Sequence, residues 1–401
     1  MERSQIAKLP RFAPAPGGAK SSRSSVLDGL RGWASLSVVC YHVFWETFGL
    51  VRPEFKNPAT GFLFDGALAV SIFFLLSGEA LSAAFFAGKG KLAVIKLAIK
   101  RYPRLTIPVL ATCLITFALS RTDMLFNGQA GMIVGRPDWI GSWVRFPFGL
   151  GYVLRYALVS VYTTSNATTA LNAFLWTMRL ELVGSVIVFA ILLTFGWFRL
   201  AWLILAALTV LLAWLTPTHD LACFTVGIAF AAARSHGMFD RIQRTPFMPL
   251  LCWAVICVVA IADGFLQWEG LAPEGVAPLF AVPLVLAIFC DRTACRFFSS
   301  TLSKMLGRVS FPLYLVQFPV LISFTSGAIV FATAHGGLAS GIVYLIAGSS
   351  VAVCLVSAVL FEPVEIFTKW FGQRLVELAM AAWPRFLQDR GQIRLDRQSP
   401  R

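Results

Sequence analysis

Two side chains that could do chemistry, Arg31 and His42, stand eleven positions apart in the first long apolar segment of the chain. Eleven residues make about three helical turns, so both side chains are predicted on one helix face, roughly 16 Å apart. Imidazole titrates near neutral pH, and His42 is therefore a candidate general base that takes a proton from an attacking hydroxyl. The alternative is a membrane-buried histidine that serves packing only.

A second pair of basic residues, Arg101 and Arg104, flanks Pro103 at the end of a strongly basic stretch. Proline suits the first turn of a helix, so the sequence predicts a helix N-terminus between the two arginines. Cations are unfavourable beside the positive end of a helix dipole, and an anion such as a phosphate between them would offset this. Membrane topology alone is the alternative explanation of the charge.

A buried carboxylate is predicted at Glu181, five residues after Trp176, in a later apolar segment. Glu181 could pair with other buried charges as part of the scaffold. It could instead orient His42 and raise its basicity, as carboxylates do for catalytic imidazoles. Trp176 has its own simple alternative, an anchor at the membrane interface.

The elements that must position these residues are predicted to be membrane helices. Of the 401 residues, 57% are hydrophobic and 13% are charged, against about a quarter charged in soluble domains. Long apolar runs recur, each near the roughly 20 residues that cross a bilayer, and helices satisfy their own backbone in lipid. The sequence therefore predicts an all-α fold, a polytopic transmembrane bundle of about ten spans.

The net charge of +14 would suggest nucleic acid in a soluble protein. Here the basic residues are predicted in the inner loops, which the positive-inside rule explains without a nucleic-acid partner. This pattern places both termini in the cytoplasm. Residues 150–161 are predicted as an interfacial or re-entrant helix on the outer side, with a full crossing as the alternative.

Three regions follow from this pattern: a disordered basic tail at 1–26, a transmembrane domain at 27–362 and a basic cytoplasmic tail at 363–401. The eight cysteines form no Cys-x-x-Cys pair and no Cys/His cluster, so neither a metal site nor a disulfide framework is predicted.

Several motifs carry a resemblance to a known family. The segment Leu27-Asp28-Gly29-Leu30-Arg31-Gly32, with His42 beyond it, resembles the opening helix of the acyltransferase-3 family. Phe73-Phe74 before Ser77-Gly78, the Arg101-to-Arg104 element and the stretch from Leu306 to Gln317 resemble further family motifs, in the same order. Two positions depart from the pattern: Glu79 replaces an apolar residue, and Gln317 replaces a second histidine.

The resemblance implies an integral-membrane O-acyltransferase with an acyl-CoA donor, most simply acetyl-CoA, a carbohydrate or glycolipid acceptor, and no bound cofactor. It implies catalytic roles for His42 and Glu181 and donor binding by Arg31, Arg101 and Arg104. Supporting residues would be Asp28, Ser77, Trp176, Ser310 and Tyr314. The expected location is a bacterial cytoplasmic membrane. A transporter, or a catalytically silent scaffold, remains the alternative.

Overall fold

The computed structural model describes residues 24–164, 167–194, 201–215, 219–273 and 275–396. Within these ranges every regular element is a helix, which confirms the all-α prediction. The predicted tail at 1–26 lies outside the described residues except for its last three positions.

The helices are given in chain order. The first nine are α1 Ser24–Cys40, α2 Pro58–Leu63, α3 Gly66–Ala84, α4 Gly90–Arg121, α5 Asn127–Ile133, α6 Leu150–Arg155, α7 Val161–Thr163, α8 Trp176–Thr194 and α9 Ala201–Leu215. The other nine are α10 Asp220–Ser235, α11 Met238–Ile242, α12 Met248–Glu269, α13 Ala277–Cys290, α14 Arg292–Phe298, α15 Thr301–Val320, α16 Ser326–Ala334, α17 Ser340–Leu360 and α18 Glu362–Asp396. Short π-helical segments extend α1, α3, α6 and α15, at Tyr41–Thr47, Phe85–Lys89, Tyr156–Ser160 and Leu321–Thr325.

Helices α1 and α15 form the central pair, and they run in the same direction. Ser35 Oγ donates to the Ser310 carbonyl at 2.8 Å, and about two turns further on His42 meets Gln317 at 3.0 Å. Their backbones approach closely because glycines face each other. A Cβ atom on Gly32 would lie 2.4 Å from the Gly307 nitrogen.

Helix α3 runs antiparallel to α1. The guanidinium of Arg31 donates to the Leu76 carbonyl at 2.9 Å, while Gly66 at the start of α3 faces the ring of Tyr41. Asp65 caps α3 by accepting hydrogen bonds from two backbone N–H groups of its first turn. These contacts orient α1, α3 and α15 around a shared interior.

Helix α4 does not begin at Pro103, where the sequence predicted a helix start. It begins at Gly90 and continues through Pro103, so Arg101 and Arg104 lie in its interior and not at its N-terminus. Proline removes one backbone hydrogen bond but is tolerated inside a membrane helix, where neighbouring helices satisfy the freed carbonyl. The helix-dipole argument for an anion between the two arginines is therefore wrong.

The segment from Leu150 to Thr163 packs along α4. Just before the segment begins, Phe148 packs against Phe117 of α4, with ring centroids 6.0 Å apart. Near its end, Tyr162 Oη lies 2.9 Å from Thr106 Oγ1 of α4. Eleven residues of α4 separate these contacts, or about 16 Å, against about 30 Å of hydrocarbon. The interfacial or re-entrant helix at 150–161 stays a prediction.

Five helical stretches of the described chain are long and apolar enough to cross a bilayer, or six if the bent pair α13 and α14 forms one span. One of these stretches, Pro58–Arg121, includes both α3 and α4, separated where Gly88 and Gly90 have positive φ angles of 82° and 68°. The structure thus supports a helical membrane bundle, and the number of ten spans remains a prediction.

The predicted tail at 363–401 is helical in the part that the structure describes. Helix α18 packs along the first half of α4, and Lys100 Nζ donates to Gln373 Oε1 at 2.6 Å. Residues 397–401 lie outside the described range.

Candidate active site

A cavity of about 820 Å³ lies between α1, α3, α4, α8, α15 and α18. It collects eight of the ten residues that the sequence singled out: Asp28, Arg31, Ser77, Arg101, Arg104, Glu181, Ser310 and Tyr314. The structure therefore brings together residues from five helices that are far apart in sequence. We call this space the basic cavity.

The charge of the basic cavity is strongly positive. Seven basic side chains line it, against three acidic ones. The basic ones are Arg31, Lys100, Arg101, Arg104, Lys304, Arg308 and Lys369. Such a surface favours a ligand with several negative charges.

A polar network holds one wall of the basic cavity. Arg101 forms an ion pair with Glu181, and its Nε donates to Ser185 Oγ at 2.6 Å. Ser77 Oγ donates to Glu181 Oε1 at 2.7 Å. Glu181 thus contacts Arg101 and Ser77 and makes no hydrogen bond to His42 in the part of the chain that the structure describes.

The contacts therefore do not support the prediction that Glu181 orients His42. They support the alternative prediction, in which Glu181 pairs with a buried charge.

Arg104 differs from Arg101, because it is exposed to the basic cavity and makes no hydrogen bond or ion pair with a described residue. Of the two, Arg104 is the cation that can bind a ligand without losing an existing contact.

His42 lines a second, smaller cavity of about 280 Å³, together with Trp176. Three residues line both cavities, Val70, Thr177 and Tyr314, so the two spaces adjoin. Arg31 and His42 face these adjoining spaces from the same helix, in agreement with the predicted shared face. We call the smaller space the histidine cavity.

The ring of His42 is fixed by two neighbours. It stacks on Phe174, with centroids 3.7 Å apart and planes at 2°, and its Nδ1 lies 3.0 Å from Gln317 Oε1. The Gln317 amide nitrogen donates to the Tyr314 carbonyl at 3.0 Å, so the amide oxygen faces the imidazole. An amide oxygen only accepts, and Nδ1 must carry the proton, which leaves Nε2 with a lone pair.

The remaining predicted residues hold the scaffold in place. Tyr314 Oη is 2.6 Å from Thr177 Oγ1 and also donates to the Phe174 carbonyl, which ties α15 to α8. Ser310 donates to the Gly307 carbonyl at 2.9 Å within its own helix. Asp28 lies inside α1, which begins four residues earlier at Ser24.

The sequence did not point to several residues of the site. Lys304 and Arg308 are one turn apart on α15, so their i,i+4 spacing beside the family-like motif was an available signal. Lys369 had no such signal, because α18 reaches the cavity only through its packing on α4. Gln317 was seen as a departure from the family pattern, but its contact with His42 needed the structure.

Comparison with known protein families gives a match over most of the chain. A family model for an acyltransferase domain, acyltransferase-3, matches residues 25–361. No curated protein and no solved structure gives a significant match. The matched range includes both cavities except for the α18 wall, and its helices supply Arg31, Arg101 and His42. The chain belongs to the acyltransferase-3 family, whose members are membrane acyltransferases.

Proposed function

We propose that the protein is an O-acyltransferase that moves an acyl group, most simply acetyl from acetyl-CoA, onto a hydroxyl of a cell-surface or exported glycan or lipid-linked sugar. The observation that carries this proposal is the adjacency of the two cavities. A basic cavity suited to an anionic donor adjoins the cavity that contains His42, and Tyr314 and Thr177 line both.

The donor end of the proposal rests on charge. The phosphates of coenzyme A would occupy the basic cavity near Arg104, Arg31 and Arg101, where arginine forks match phosphate oxygens. The acyl-bearing arm would extend toward Tyr314, where the basic cavity ends. No bound cofactor is required, because the acyl-CoA is a co-substrate.

The acyl transfer needs one base, and His42 has the required form. Its Nε2 takes the proton of the acceptor hydroxyl while the oxygen attacks the thioester carbonyl. The new ester C–O bond forms as the C–S bond breaks, and the imidazolium returns the proton to the leaving thiolate, giving a free thiol. Gln317 keeps Nδ1 protonated throughout, so Nε2 is the nitrogen that takes and returns the proton.

The direction of the helices supports the predicted sidedness. Helix α1 follows a basic N-terminal segment, and the basic cavity extends to its first turns, at Ser25 and Asp28. The positive-inside rule would place that end in the cytoplasm, where acyl-CoA is made. About ten spans, both termini inside and a bacterial cytoplasmic membrane are parts of this proposal.

The test uses membranes from cells that produce the wild type or His42→Ala, incubated with radiolabelled acetyl-CoA and the host glycan fraction. The wild type should label the glycan, and the variant should lose at least about 100-fold of the rate. His335→Ala, at an exposed histidine, is the matched control and should retain activity. A wild type that labels no acceptor, with donor and glycan both present, would favour transport or scaffolding.

A further inference from the structure

The histidine cavity is electrostatically unlike the basic cavity. Among the described residues that line it, Asp220 is the only one with a charged side chain at neutral pH if His42 is neutral. The basic cavity has seven basic side chains. Two adjoining spaces with such different charge are suited to ligands of different charge.

Asp220 is held in a fixed position at the wall of this cavity. It lies at the start of α10, is 6% exposed, and accepts a hydrogen bond from Ser71 Oγ at 2.8 Å. Ser71 is fully buried on α3 and lines the same cavity. A carboxylate has about four lone-pair positions and can accept from more than one donor at a time.

The other walls combine aromatic rings with small and aliphatic residues. Tyr41, Phe174 and Trp176 line the histidine cavity, and Trp176 is 47% exposed. Apolar walls with a few fixed polar groups are the usual composition of a small-molecule site, in which the polar groups set orientation. A sugar ring suits this arrangement, because its C–H faces can pack on aromatic rings while its hydroxyls reach polar side chains.

We infer that the histidine cavity binds the reacting sugar unit of the acceptor, and that this unit is a neutral or amino-bearing ring and not an acidic one. Asp220 and Ser71 hold its hydroxyl or amino groups while the reacting hydroxyl faces His42. A sugar carboxylate or phosphate beside Asp220 would place two negative charges together in a site of low dielectric constant. This inference rests on the proposed acyl transfer.

Competition with small glycosides tests whether the histidine cavity selects sugars by their charge. Membranes with the wild type receive radiolabelled acetyl-CoA, the glycan fraction and one of three sets of methyl glycosides: neutral hexosides, 2-amino-hexosides or hexuronides. Neutral or amino sugars should be labelled or should suppress glycan labelling, and hexuronides should be at least about tenfold weaker. Hexuronides that compete equally well would overturn the inference.

Substitutions at the wall separate acceptor binding from donor binding. Asp220→Asn and Ser71→Ala should each raise the half-saturating glycan concentration about tenfold, with that of acetyl-CoA changed less than twofold. Asp220→Asn should also reduce the difference in competing strength between neutral and acidic glycosides. If Asp220 had only a structural role, the substitution would leave this difference unchanged.

Two matched controls use side chains buried to the same degree that line neither cavity, Asp263→Asn on α12 and Ser82→Ala on α3. Both should keep the wild-type half-saturation values at equal protein level. Wall variants that behave like these controls, while the wild type labels glycan, would overturn the inference and leave the proposed function intact. A wild type that transfers nothing would overturn both.

Discussion

The contact between His42 and Gln317 decides which imidazole nitrogen can act as a base. Gln317 is oriented by its own hydrogen bond to the Tyr314 carbonyl, so its oxygen faces Nδ1. Phe174 stacks on the ring and prevents rotation away from this position. In this chain a neutral amide thus fixes the tautomer of the proposed base.

Replacing Gln317 with leucine should leave Nδ1–H without a partner and the ring free to choose either tautomer. The transfer rate is expected to fall about 10- to 100-fold, with the half-saturating acetyl-CoA concentration changed little. Gln317→Glu should retain more activity than Gln317→Leu, because a carboxylate still accepts from Nδ1. Initial rates of labelling at equal protein level would check this, and equal rates for leucine and wild type would contradict it.

The ion pair between Arg101 and Glu181 has little exposure, with side chains 11% and 12% accessible. Glu181→Leu leaves Arg101 without its carboxylate in a site that already has an excess of positive charge. The protein should lose about 3–5 kcal/mol of stability, measured by thermal unfolding in detergent.

The exposed pair Arg308 and Glu362, with accessibilities of 71% and 34%, provides the control. Glu362→Leu should change stability by at most about 1 kcal/mol, because water screens an exposed ion pair. Equal losses at Glu181 and Glu362 would show that the inner pair has no special structural importance.

At the scale of elements, the packing of α1 on α15 sets the relative positions of Arg31, His42 and Gln317. The two helices run in parallel, with Gly32 facing Gly307. Small residues at a helix interface let the backbones approach, which is how membrane helices pack without a hydrophobic driving force. A side chain at this crossing must push the two helices apart.

Gly32→Ala tests this crossing, because the new Cβ would lie 2.4 Å from a backbone nitrogen that cannot move independently. We expect a loss of about 1–3 kcal/mol in stability and a fall in acyl transfer. Gly348→Ala on α17, where a Cβ meets nothing within 4 Å, is the control and should be neutral or slightly stabilising. Thermal unfolding and labelling rates measure both effects, and wild-type values for Gly32→Ala would argue against the tight crossing.

At the scale of the whole molecule, two apolar clusters hold the bundle together. One is centred on α3, α10 and α13, and the other on α4, α15 and α17. Helix α1 contributes residues from Val26 to Val38 to one cluster, and Val39 together with Val43 of its extension to the other, so it bridges them. The basic cavity is bounded by helices of both clusters.

The proposed topology is tested by introducing one cysteine at a time and labelling it with a membrane-impermeant maleimide. The background variant carries Cys257→Ser, because Cys257 is exposed. His335→Cys, in the connection between α16 and α17, should react in intact cells. Lys89→Cys, between α3 and α4, should react only after permeabilisation. The reverse pattern would invert the bundle, and reaction of both in intact cells would contradict the ten-span arrangement.

The sequence alone determined the helical membrane class and singled out eight residues that line the basic cavity. Composition and apolar run length decide between water and lipid as the surroundings, and both are local properties. The spacing of Arg31 and His42 is also local, because one helix carries both residues. These predictions did not depend on which helices are neighbours.

Only the tertiary structure decided which partners the charged groups have. Glu181 lies in a different apolar segment from both His42 and Arg101, and helix packing places it beside Arg101. The predicted start of α4 at Pro103 was also wrong, because α4 continues through this residue. A proline marks a helix terminus only when no neighbouring group can satisfy the backbone carbonyl that it frees. Asp220 and Lys369 reach the two cavities through contacts between distant segments, which spacing along the chain does not encode.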